Sequence, residues 1–126
     1  MRTTVRSIIL ILIASHFRAF ADDGASTAVF VEHVVVVPAK AIHEEGVALA
    51  RGETVRFYFK ASSSLNFNVH YHEGERVTFE RSDKPLERLD GSLTADARRD
   101  YWLMWTNDSA EPVALYVTIR RQAKKF

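Results

Sequence analysis

The chain contains no cysteine, and only three prolines, five glycines and two methionines among 126 residues. Without cysteine there is no disulfide framework, no lipid-bearing cysteine at a processed N-terminus and no thiol nucleophile. The glycines are scattered, so no glycine-rich phosphate loop exists, and no serine stands in a Gly-x-Ser-x-Gly elbow. Glu73 and Glu75 flank Gly74 in a turn-like stretch, a poor place to bury and tune a catalytic carboxylate. These absences remove the common enzyme classes, and the chain reads as non-enzymatic.

Long apolar runs are also lacking. Ile8–Ala14 (IILILIA) is seven residues long, whereas a membrane-spanning helix needs about 20. Arg2 and Arg6 precede this run and Ala19-Phe20-Ala21 follows it, the arrangement of a secretory signal peptide cut after Ala21. The sequence therefore predicts a signal at 1–21 and one small domain at 22–126, with no transmembrane span in the mature chain. The signal holds three of the 17 basic residues and none of the 16 acidic ones, so the mature chain carries a formal charge of −2. That balance excludes a nucleic-acid surface, which needs a clustered basic excess. Arg120, Arg121, Lys124 and Lys125 form a terminal basic cluster that reads as a solvated tail. An exported chain without disulfides fits a periplasmic or secreted protein stabilised by its core alone.

What the mature chain does have is period-two alternation. Ala28–Val37 (AVFVEHVVVV) reads as a first strand ending at Pro38. Ala39–Glu45 reads as a helical turn or a loop. Glu53–Ala61 places Val55, Phe57 and Phe59 on one face. Ser62-Ser63-Ser64 then reads as a turn. Leu65–His72 alternates again, with Leu65, Phe67, Val69 and Tyr71 inward and Asn66, Asn68, His70 and His72 outward. Arg76–Glu80 is the expected hairpin partner, Ser82–Asp90 a surface loop around Pro85, and Gly91–Ala95 a short strand. Asp100–Thr106 sends Tyr101, Leu103 and Trp105 to one face and Trp102, Met104 and Thr106 to the other. Asn107-Asp108-Ser109 suits a turn, and Pro112–Arg120 closes the domain. Roughly six to eight strands with turn signals and no convincing helix predict an all-β fold, a single antiparallel β-sandwich.

The segment DYWLMWTNDSAEPVALYVTI, Asp100–Ile119, carries Tyr101, Leu103, Trp105, Asn107 and Ser109 in order. It resembles the C-terminal part of GOLD domains, the β-sandwich modules of the p24 cargo receptors and related proteins. NFNVHYHEGERV resembles that family's middle strand, and Gly91–Ala95 is similar to the segment before its aromatic strand; the resemblance spans roughly residues 47–120. Asp100 replaces the family's usual glycine, and the receptors' cysteine pair, coiled coil and membrane anchor are absent. The resemblance implies a free-standing, exported β-sandwich that binds a protein or an envelope lipid or glycan and catalyses nothing.

Two surfaces are candidates for that binding. Asn66, Asn68, His70, Tyr58 and Trp102 offer a polar and aromatic face for a sugar, peptide or lipid headgroup. His70 and His72 are two residues apart on a strand, hence on one face about 6–7 Å apart, close enough for both imidazoles to reach one copper or zinc ion. His33, Glu73, Asp108 and Met104 are the candidates for a third ligand, Met104 above all for copper(I). The alternative is that the histidines belong to the wet face of a strand. His43, beside Glu44 and Glu45, is expected to be solvated in a loop.

Overall fold

A computed structural model describes residues 29–122. The predicted signal segment and its cleavage position, together with Lys124 and Lys125, lie outside the described residues. Six strands run in chain order: β1 (Val29–Val37), β2 (Ile42–Leu49), β3 (Thr54–Glu73), β4 (Arg76–Thr94), β5 (Arg99–Thr106) and β6 (Val113–Gln122). All pairings are antiparallel, in the order β1-β6-β3-β5-β2, with β4 on the other side of β3. The all-β class is as the alternation predicts.

The 20-residue strand β3 organises the molecule. Its first half, Thr54–Ala61, pairs with β6, and its second half, Asn66–Tyr71, pairs with β5. The sheet is thereby curled into two facing layers that share β3 and its long hairpin partner β4. Ser62–Ser64 is the place where the strand changes layer. The turn expected there is instead a corner within a continuous strand, and the β3–β4 register shifts between Lys60 and Leu65. Three small exposed residues allow the bend, and the Ser62 hydroxyl accepts the Ala114 amide at 2.9 Å.

Two further expectations are corrected. Ala39–Glu45 is neither a helical turn nor a loop beyond Ala41, because β2 begins at Ile42 and pairs with β5 through Leu49. Ser82–Asp90 and Gly91–Ala95 are not a loop and a separate strand but belong to β4, a 19-residue strand that follows β3 almost end to end. Pro85 fits because β4 lies at the sheet edge and its missing N–H can face outward. The β3–β4 connection is two residues, and Gly74 takes a φ of +63°, the pattern of a type II′ hairpin turn.

The alternating residues fill the space between the layers. Phe57, Phe59, Leu65, Phe67, Val69, Tyr101, Leu103, Trp105, Leu115 and Val117 are all buried. Trp105 packs edge-on against Phe59 at 5.4 Å between ring centres and tilted against Phe67 at 5.1 Å. Phe57 lies directly over Gly91, where a Cβ would sit 2.7 Å from the ring, so this glycine is the space the aromatic occupies.

Candidate binding face

The sheet formed by β2, β5, the second half of β3 and the first half of β4 presents one outer face. Strand register decides which side chains meet there. Gly46 lies opposite Trp102, Trp102 opposite His70, and His70 opposite Phe79, a row crossing all four strands. The neighbouring row runs Glu44, Met104, Asn68. The next is Ile42, Thr106, Asn66. The structure thus brings together on one face all six predicted site residues: Asn66, Asn68, His70, His72, Trp102 and Met104.

Their exposure differs from the expectation. Asn68 and His70 are buried, at 1% and 6% exposure, although they point away from the core. Large neighbours on both flanking strands cover them: Trp102 and Met104 on β5, Phe79 on β4. Only His72 is freely exposed, while Asn66, Trp102 and Met104 are half-buried. Phe79 is 52% exposed and Val77, opposite His72, is 41% exposed, so the face is rimmed by apolar side chains.

A chain of hydrogen bonds fixes His70. The Asn68 amide nitrogen donates to Asp83 Oδ1 at 2.9 Å, which leaves the Asn68 oxygen as an acceptor. His70 Nδ1 lies 2.8 Å from that oxygen and must donate to it. His70 Nε2 therefore carries the free lone pair. Burial pushes the His70 pKa below the ordinary value, and the nearby His72 adds to this; Glu44 and Asp83 oppose it. A neutral imidazole held in one tautomer is suited to accept a proton from a ligand hydroxyl or to bind a metal. His72 stands edge-on to His70 with 5.3 Å between ring centres. Among the described residues, no three His, Asp or Glu side chains form a group that could hold a metal ion.

Trp102 is positioned by absence of a side chain beneath it. The six-membered ring of its indole occupies the space above Gly46, where a Cβ would come within 2.9 Å of Cζ3. Gly46→Ala is accordingly expected to push the indole off its seat, read as a shift in tryptophan emission with little change in far-ultraviolet circular dichroism. Beside Trp102 lies an open depression of about 560 Å³ lined by His72, Glu73, Arg98, Arg99 and Asp100. Arg99 is held in its wall, with its guanidinium 4.3 Å from the Tyr71 ring centre.

A second polar cluster lies inside, where the sequence reading placed none. His43 is not solvated but buried at 7% exposure, and Glu45 at 8%. Glu45 Oε2 accepts hydrogen bonds from His33 Nδ1 at 2.9 Å and His43 Nε2 at 2.8 Å. His33 comes from β1 and the other two from β2, the two ends of the curled sheet, so the carboxylate clasps its open seam. These contacts join β1 to β2 through a single carboxylate. The alternation His43, Glu45, Val47, Leu49 is the signal that could have marked these residues as inward.

No known family model matches the chain, and no curated protein matches it. It is similar to a solved chain from work on Bacillus endospore appendages, described as a novel family of disulfide-linked pili. The likeness has a TM-score of 0.38 and 9% identity, covering 83% of this chain and 96% of that one. No helix among the described residues is long and apolar enough to cross a membrane.

Proposed function

We propose that the protein is an exported, non-enzymatic binding module, periplasmic or secreted and GOLD-like in character. Its recognition surface is the outer face around Trp102. The observation that carries this reading is the row Gly46–Trp102–His70–Phe79, in which a seated indole and an exposed phenyl ring flank buried, oriented polar groups. Aromatic platforms beside fixed hydrogen-bonding groups suit a hydroxyl-rich envelope ligand or a protein loop. The test is to titrate the mature chain with purified cell-envelope polysaccharide, peptidoglycan fragments and phospholipid vesicles. The expected result is saturable binding to one of them that weakens about tenfold or more in Trp102→Ala, with the far-ultraviolet circular dichroism of the folded chain retained. Absence of binding to all three, or equal binding by the variant, would remove this reading.

A second reading has its own observation. The His70 and His72 rings are adjacent, His70 Nε2 is free, and Met104 lies on the same face. Under this reading the face binds copper or zinc. Calorimetry with Zn²⁺, Cu²⁺ and Cu⁺ would then show one-to-one binding that is lost in the His70→Ala/His72→Ala double variant. Weak binding equal in both proteins rejects it.

A further inference from the structure

Among the described residues three strands are edges, β1, β2 and β4, and the sequence treats them very differently. Among the described residues, β4 is an edge along its whole length, and it carries Arg76, Arg81, Lys84, Pro85 and Arg88 together with register shifts against β3. Charges, proline and bulges are the devices that stop an edge from pairing with another chain. Edge strand β2 carries two acids, Glu44 and Glu45, and a glycine, Gly46, within eight residues. Strand β1 carries a single acid, Glu32, and no bulge. Its sequence VFVEHVVVV contains no lysine, arginine, proline or glycine, and its nine-residue register with β6 is unbroken. Its outer face is also apolar: Phe30 is 51% exposed, Val34 74% and Val36 63%.

We propose that β1 pairs edge to edge with β1 of a second copy of this chain, antiparallel and centred on His33. The exposed apolar residues of β1 are complementary to those of a second β1, and charge and strand length select the register. Side-chain direction alternates along a strand, so a paired copy must match outward residues with outward ones. Centring on His33 keeps all nine residues in register and sets Phe30 opposite Val36, Val31 opposite Val35, and Glu32 opposite Val34. Sliding the copies by two residues in one direction would oppose Glu32 to Glu32, a like-charge contact that cross-strand pairing disfavours. Sliding them the other way would oppose Phe30 to residue 38, which is Pro38, beyond the strand. In the centred register the single charged residue of β1 meets valine. Its carboxylate is already turned toward β6, where it accepts the Tyr116 hydroxyl at 2.8 Å. The result is one continuous sheet through two molecules, with Phe30, Val34 and Val36 of both copies in one apolar band. This interface lies on the other layer from the Trp102 face and leaves that face open.

The pairing register makes an unusual demand that ordinary hydrophobic association does not. Val34→Glu would place a carboxylate opposite the other copy's Glu32, whereas Val34→Lys would place an ammonium there. Sedimentation equilibrium of the mature chain over the micromolar to millimolar range is the measurement. The wild type should form a dimer, Val34→Glu should weaken it, and Val34→Lys should hold or tighten it, with dissociation constants of the two variants about tenfold or more apart because each contact occurs twice. Val34 is 74% exposed, so both variants should keep the far-ultraviolet circular dichroism of the wild type, which serves as the folding control. A wild-type monomer throughout, equal weakening by either charge, or large polydisperse species would each overturn the proposal.

Discussion

Replacing Asn107 with alanine should destabilise the protein by roughly 3 kcal/mol and lower its melting temperature by about 10–20 °C. Asn107 is fully buried. Its amide nitrogen donates to the carbonyls of Val37 at 3.0 Å, Pro38 at 3.1 Å and Glu111 at 2.8 Å. Its side-chain oxygen accepts from the Ser109 amide at 2.9 Å and the Ser109 hydroxyl at 2.7 Å. Its backbone N–H donates to the Ala41 carbonyl at 2.9 Å. One side chain thus ties the β1–β2 connection to the β5–β6 connection. Alanine would leave buried carbonyls without a donor, which costs more than the bonds themselves contribute. Asn107→Asp should be nearly as damaging, since a carboxylate cannot donate to the three carbonyls. Ser109→Ala should cost much less, about 1 kcal/mol, because the Asn107 donors remain. Thermal melts of the three variants check the ranking, and equal midpoints for Asn107→Ala and Ser109→Ala would refute it.

Asn107 also marks where sequence and structure meet and where they part. A turn at Asn107–Ser109 was readable because short polar side chains bond nearby backbone, and the Ser109 contacts bear this out. Its bonds to Val37 and Pro38, about seventy positions away, depend on which connections fold onto one another. Strands β5 and β6 were legible for a simple reason. Each has one face in the core and one toward solvent, so polarity alternates cleanly. The two ends of β4 were legible, but its middle, Ser82–Asp90, was not, because it is an edge with both faces largely exposed and its strand state is imposed by pairing with β3 rather than by its own residues. Strand β2 was missed because His43 and Glu45 occupy inward positions that apolar residues normally fill.

The candidate face shows the same division. That Asn66, Asn68, His70 and His72 share a face follows from period two alone. That Trp102 and Met104 join them is a property of β3–β5 pairing, which no local pattern encodes. The contribution of Phe79 and Asp83 was invisible because both lie on β4, in or beside the stretch that reads as a loop. Burial of His70 has a consequence for pH. Its pKa is lowered in the folded state, so the unfolded chain takes up the proton first as pH falls. Stability attributable to neutral His70 is present above the ordinary histidine value and is lost as pH drops from there toward the lowered one.

The clasp at the seam produces the second large effect, in a different pH window. Burial alone would raise the Glu45 pKa, but hydrogen bonds from His43 and His33, and their charge, outweigh it and hold the carboxyl below its ordinary value of 4.5. A depressed carboxyl contributes stability that is present above 4.5 and lost as pH falls through the lower folded value. Glu45→Ala removes the acceptor shared by two imidazoles, one of them buried beside Trp105 with 5.8 Å between ring centres. We expect it to cost roughly 2–3 kcal/mol near neutral pH. Glu45→Gln keeps the shape and one acceptor oxygen, so it should lose less at neutral pH while flattening the acid limb of the stability curve. Urea unfolding of wild type and Glu45→Gln, followed from pH 7 down through the carboxyl range, separates the two contributions. Parallel curves for the two proteins below pH 4.5 would mean that Glu45 is not the group whose protonation opens the seam. Curves that converge as pH falls would identify it, because protonating Glu45 and replacing it with glutamine remove the same charge from between the same two histidines.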